Sequence, residues 1–128
     1  MLLLEGLIAM LIFTIGVLGV VGMQATVVKQ VTDAKYRTDA GMLANQLIGT
    51  MWVSDRTTAT LQSNFNTGGA AYNTWLAKVS TTLPGVAMYP PTVAVSNQGV
   101  TTVTIRWLAP SEAANTTPHQ HVVIAQIQ

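Results

Sequence analysis

Hydrophobic and polar positions follow three different patterns along this chain. Residues 1–28 read MLLLEGLIAMLIFTIGVLGVVGMQATVV, with Glu5 the sole charge until Lys29. The uncharged run 6–28 makes about 35 Å of α-helix at ~1.5 Å per residue, enough to cross a bilayer core of about 30 Å. From Val27 onward apolar residues recur every three or four positions, at Val31, Ala34, Ala40, Leu43, Ala44, Leu47, Ile48 and Met51. Lys29, Asp33, Lys35, Arg37 and Asp39 fill positions between them, so the greasy helix continues as an amphipathic one. No proline occurs before Pro84, and Ser54-Asp55 with the threonines that follow is the first credible stop. One helix of about 53 residues, roughly 80 Å long, is predicted.

Residues 56–91 are rich in Thr, Asn, Ser and Gly. Tyr72, Leu76 and Val79 give helical spacing over 70–79, and Pro84-Gly85 ends it. This stretch reads as a connecting region with one short helix, and Tyr89-Pro90-Pro91 marks a rigid exit from it. Thereafter the period becomes two. Val93 and Val95 alternate with small or polar residues, and Ser96-Asn97-Gln98-Gly99 supplies turn chemistry. A strand over 100–108 puts Val103, Ile105 and Trp107 on one face and Thr102, Thr104 and Arg106 on the other. A polar loop follows, then a last strand over 121–127. The expected fold is α+β, a long N-terminal helix with a small three-stranded antiparallel sheet packed on its C-terminal half, against 43–51. Two parts are expected: a hydrophobic helix over 1–28, and a head over 29–128 built from the amphipathic helix half, the connecting region and the sheet.

Composition sharpens this picture. Hydrophobic residues make up 49% of the 128, but charged ones only 9%, against about 25% in a soluble domain. Six Lys/Arg against five Asp/Glu leave a net charge of +1, which gives no electrostatic footprint for nucleic acid. Without cysteine there is no disulfide framework, thiolate metal site or cysteine nucleophile.

Position makes Glu5 the most informative residue. A carboxylate in a membrane-length apolar segment costs roughly 2.5–3.5 kcal/mol when central and less near an end. It is either an interfacial residue favoured by the positive end of the helix dipole, or one that a cation neutralises. The nearest candidate is an α-amino group, that of Met1 one turn away or that of a neighbouring chain. No Lys or Arg precedes the apolar run to orient it, so a short basic leader is expected to have been removed, with Met1 a processed N-terminus. Gly16, Gly19 and Gly22 each cost roughly 0.8–1 kcal/mol relative to Ala in a helix interior. Their spacing suits close helix–helix packing in lipid or local melting of the helix. The two are not exclusive.

An apolar helix beginning at a processed residue, with Glu at its fifth position, resembles the type IV pilin family. The stretches YRTDAGMLANQLIGTM, TVTIRWLAP and HVVIAQI look most like minor pilins of the PilV kind. The resemblance implies that a prepilin peptidase cleaves the leader, that Met1 is then methylated, and that Glu5 neutralises the N-terminal ammonium of an adjacent subunit. On that reading the filament grows from the inner membrane with the help of the pilus assembly machinery. MLLLE departs from the commoner FTLIE of the family, and Gly22 stands where many pilins have a proline. The implied partners are further copies of the chain or other pilins. The implied locations are the inner membrane before assembly, single-pass with the C-terminus outside, and an extracellular filament afterwards. Many pilins close a C-terminal loop with a disulfide, which this chain lacks the cysteines to make, so strand pairing and packing are expected to hold the last segment.

The remaining candidates are weaker. His119 and His121 share a strand face with only Glu112 as a nearby carboxylate, and read as exposed edge-strand residues rather than metal ligands. Asn115-Thr116-Thr117 fits a glycosylation sequon, while Trp52, Trp75 and Trp107 read as core. No phosphate loop, H-E-x-x-H or Ser/His/Asp set is present, so no catalysis and no cofactor are expected. The function expected is that of a structural filament subunit. The alternatives are a type II secretion pseudopilin and a non-polymerising binding module with a single membrane anchor. Adhesion, motility and DNA uptake are roles of the family among which the residues do not choose.

Overall fold

The computed structural model describes residues 1–127. Its elements run in the order α1 (Leu2–Val53), α2 (Thr58–Phe65), α3 (Ala70–Thr82), β1 (Thr92–Val95), β2 (Val100–Trp107) and β3 (His119–Gln126). The chain divides into two units, Met1–Ala34 and a second that begins at Lys35. The architecture is α+β, with the three-stranded antiparallel sheet packed on the C-terminal part of the long helix.

The first unit is helix throughout after Met1, including Gly16, Gly19 and Gly22. Every residue of 1–28 is exposed. The hydroxyls of Thr14 and Thr26 donate back to the carbonyls of Met10, at 2.7 Å, and Gly22, at 3.3 Å. These bonds satisfy the polar groups within the helix, so neither needs water.

In the second unit the period-3.6 pattern becomes packing. Ala40, Leu43, Ala44, Leu47 and Met51 are at most 3% exposed and form one core with α2, α3 and the inner sheet face. Val31 and Ala34 continue the sequence stripe but are exposed, because the apolar contacts of the head begin at Tyr36. The short α2 departs from the expectation of a single helix in the connecting region. The Asp55 carboxylate accepts the Thr57 N–H at 3.0 Å, and that bond holds its pKa below the ordinary value. Leu61 and Phe65, one turn apart, are buried. α3 buries Tyr72, Trp75 and Val79. After it, Gly85 takes φ +76°, and a Cβ there would lie 3.0 Å from the backbone nitrogen of Leu108.

The sheet order is β1-β2-β3, all antiparallel. Ser96-Asn97-Gln98-Gly99 forms the predicted turn, with Gly99 at φ +75° and the Ser96 N–H donating to the Val100 carbonyl at 2.8 Å. Strict alternation along β2 buries Thr101, Val103, Ile105 and Trp107. β3 starts two residues earlier than expected. Ile127 beyond it is fully buried, and its N–H donates to the Gly99 carbonyl at 2.9 Å. Strand pairing and one apolar anchor therefore hold the end of the described chain, where no disulfide is possible.

Candidate functional site

Physical chemistry singles out the first unit. Over residues 1–28 its surface is dominated by exposed apolar side chains, among them Leu3 at 87%, Phe13 at 73% and Met23 at 70%. Leaving such a side chain in water forgoes roughly 1.5–3 kcal/mol each relative to burial, so this helix requires lipid or protein around it. Its length and apolar composition are compatible with a membrane anchor.

Glu5 lies in the first turn of α1, and its N–H donates to the Met1 carbonyl at 3.0 Å. Met1 is fully exposed. Among the described residues the Glu5 carboxylate has neither a hydrogen-bond nor an ion-pair partner. The structure thus places Met1 and Glu5 on adjacent turns without pairing their charges. A Cβ added at Gly16, Gly19 or Gly22 would meet nothing within 4 Å. These glycines leave bare backbone along the helix.

In the head, the charged residues after Lys29 engage local partners. Lys35 pairs with Asp39 at 3.1 Å, one turn on, and Arg37 lies over the Trp107 ring at 5.9 Å. An exposed pair of this kind contributes about 0.3–0.5 kcal/mol, so it is a surface detail rather than a fastening.

His119 and His121 share a face as expected, but both are half-buried rather than exposed. His119 Nε2 lies 2.8 Å from Glu112 Oε1, and its ring stacks on Trp107 at 5.8 Å. The other Glu112 oxygen accepts the Ala109 N–H at 2.9 Å. The carboxylate therefore ties both ends of the β2–β3 loop together. The His121 ring sits against Gly41 of α1. No group of three or more His, Cys, Asp or Glu able to hold a metal occurs among the described residues. Asn115 is exposed in the loop. Trp75 and Trp107 are core, but Trp52 is 44% exposed with Arg56 5.7 Å from its ring. The core lies on the Leu47 and Met51 side of α1, which leaves Trp52 outside it.

Sequence reasoning missed a set of polar residues around β1. The N–H and carbonyl of Val93 bond Thr67, at 3.0 Å and 3.1 Å. The Val95 N–H donates to Asn66 at 2.7 Å, and its carbonyl accepts from Gln62 at 3.0 Å. Asn66 and Thr67 were legible as residues of a connecting region, but their strand partner was not. Compared with models of known families, with curated proteins and with solved structures, the chain matches none.

Proposed function

We propose that this chain is a structural subunit of a type IV pilus-like extracellular filament, held in the inner membrane through the helix over 1–28 before assembly. The observation that carries the reading is the Glu5 carboxylate, without a partner among the described residues, in the first turn of α1, whose apolar residues over 2–28 are all exposed. A single-pass anchor explains the apolar surface and leaves Glu5 as an interfacial residue at the positive end of the helix dipole, with no cation to meet it. In a bundle of such helices, Glu5 of one subunit meets the Met1 ammonium of the next. Excluding water there makes the attraction far stronger than at a surface.

The glycines support the same reading, since backbone bared at Gly16, Gly19 and Gly22 lets neighbouring helices approach closely. On this account a prepilin peptidase generates Met1, the new N-terminus is methylated, and the pilus assembly machinery adds the subunit to others of its kind or to other pilins.

Filaments sheared from cells that produce the chain test this directly. The expected result is that mass spectrometry finds the chain in the filaments, with methylated Met1 as its first residue. Recovery solely from membranes, as a single-pass protein with no polymer, overturns the proposal in favour of the anchored binding module.

A further inference from the structure

The two edges of the sheet are finished in opposite ways. The Ser96 to Val100 hydrogen bond sets the alternation in the β1–β2 pair, so Val93 and Val95 turn their backbone groups away from β2. All four of those outward groups are bonded, by Gln62, Asn66 and Thr67. That edge is closed.

At the other edge the Ile127 to Gly99 bond sets the alternation. Residues 119, 121, 123 and 125 bond β2, and Gln120, Val122, Ile124 and Gln126 turn their N–H and carbonyl groups outward. Among the described residues no further strand pairs with β3, and those four residues are exposed. Val122 is 45% and Ile124 67% exposed. Edges are usually blunted by lysine, proline or a covering segment. From residue 119 to 127 there is no proline and no Lys, Arg, Asp or Glu.

We propose that this open edge is an interaction surface, and that its occupant is β3 of a second copy of the chain, paired antiparallel about Val123. The outward residues read Gln, Val, Ile, Gln, nearly the same in both directions. Antiparallel pairing about Val123 sets Val122 opposite Ile124 of the partner subunit, and Gln120 opposite Gln126 of the partner subunit. Outward donors then face outward acceptors, and apolar side chains meet on one face. Charge allows the match. The titratable groups of the strand, His119 and His121, point to the α1 side of the sheet, so no like charges are brought together at the new seam. The pairing does not depend on the filament reading, although in a filament it would join neighbouring heads.

The absence of cysteine makes single cysteines clean reporters. Full-length Val122→Cys chain is mixed with full-length Ile124→Cys chain in detergent micelles, where detergent covers the apolar helix. The expected result is disulfide formation several-fold faster than for either variant alone. Ala94→Cys, exposed on the outer face of β1, sets the background. Far-ultraviolet circular dichroism of each variant verifies that the fold is retained. Mixed-pair rates no higher than this background, or equal for all combinations of the two β3 variants, overturn the proposal.

Discussion

The indole N–H of Trp75 on α3 donates to the main-chain carbonyl of Leu43 on α1 at 2.9 Å, in a buried setting. Trp75 also lies against Tyr72, with ring centroids 6.0 Å apart. This one side chain therefore joins α3 to the long helix by both packing and a directed bond. Trp75→Phe keeps most of the packing and removes the donor, and should cost about 1 kcal/mol. Trp75→Ala also leaves a cavity and should cost about 3–5 kcal/mol. Thermal unfolding of the head followed by near-ultraviolet circular dichroism measures both, and equal losses would show that the hydrogen bond dominates.

Tyr72 gives the head an alkaline limit. Its hydroxyl is buried and donates to the Pro91 carbonyl at 2.6 Å, and burial pushes its pKa above the ordinary value of 10.0. The folded state therefore holds this proton more tightly than the unfolded state. The resulting stability is complete below the unfolded pKa and is lost as pH rises through the folded one. Urea unfolding across that range should show stability falling with pH, and Tyr72→Phe should flatten the fall. An unchanged slope in Tyr72→Phe would assign the alkaline loss to other groups.

Gly85 is a position in the head that accepts a side chain poorly on two counts. Its positive φ and the 3.0 Å approach to the Leu108 backbone nitrogen act together. Gly85→Ala should destabilise by more than the roughly 1 kcal/mol of a left-handed residue alone, because the Pro84 carbonyl that accepts the Leu108 N–H at 3.2 Å must also move. Denaturant midpoints compare it with Gly49→Ala, an exposed helical position with open space around it where helix propensity predicts a gain.

Gly19 separates what the helix needs from what an assembly needs. Among the described residues nothing lies within 4 Å of a Cβ added there, so Gly19→Leu should leave the isolated subunit at least as helical and as firmly bound to membrane. If bare backbone at Gly19 serves close helix packing, the same substitution should reduce filament yield several-fold. Unaltered yield, by electron microscopy of sheared material, would remove that role.

How much could be read in advance depended on whether a segment's pattern implied its own partner. The alternation Val103, Ile105, Trp107 marks a buried strand face wherever the strand lies, and the turn at Gly99 follows from local chemistry. α2 was hidden because Leu61 and Phe65 are its only buried residues in a Thr-rich stretch, too few for a period. Val31 and Trp52 show the converse. Both sit near or within an apolar stripe, yet periodicity records a face of a helix and not the extent of what covers it. The half-burial of His121 depends on Gly41 of α1, far apart in sequence, and that of His119 on Trp107 and Glu112. Glu5 stood out from the start because its chemistry conflicts with its surroundings, and the structure sharpened this by placing no partner beside it.

Counting surface filaments by electron microscopy, on cells that produce the chain as it stands or its Glu5→Ala variant at equal levels, shows whether the Glu5 carboxylate drives assembly. Abundant filaments are expected for the first, and a near-complete loss for the second with the protein still present in the membrane. Filaments of normal number and length from Glu5→Ala would contradict that role.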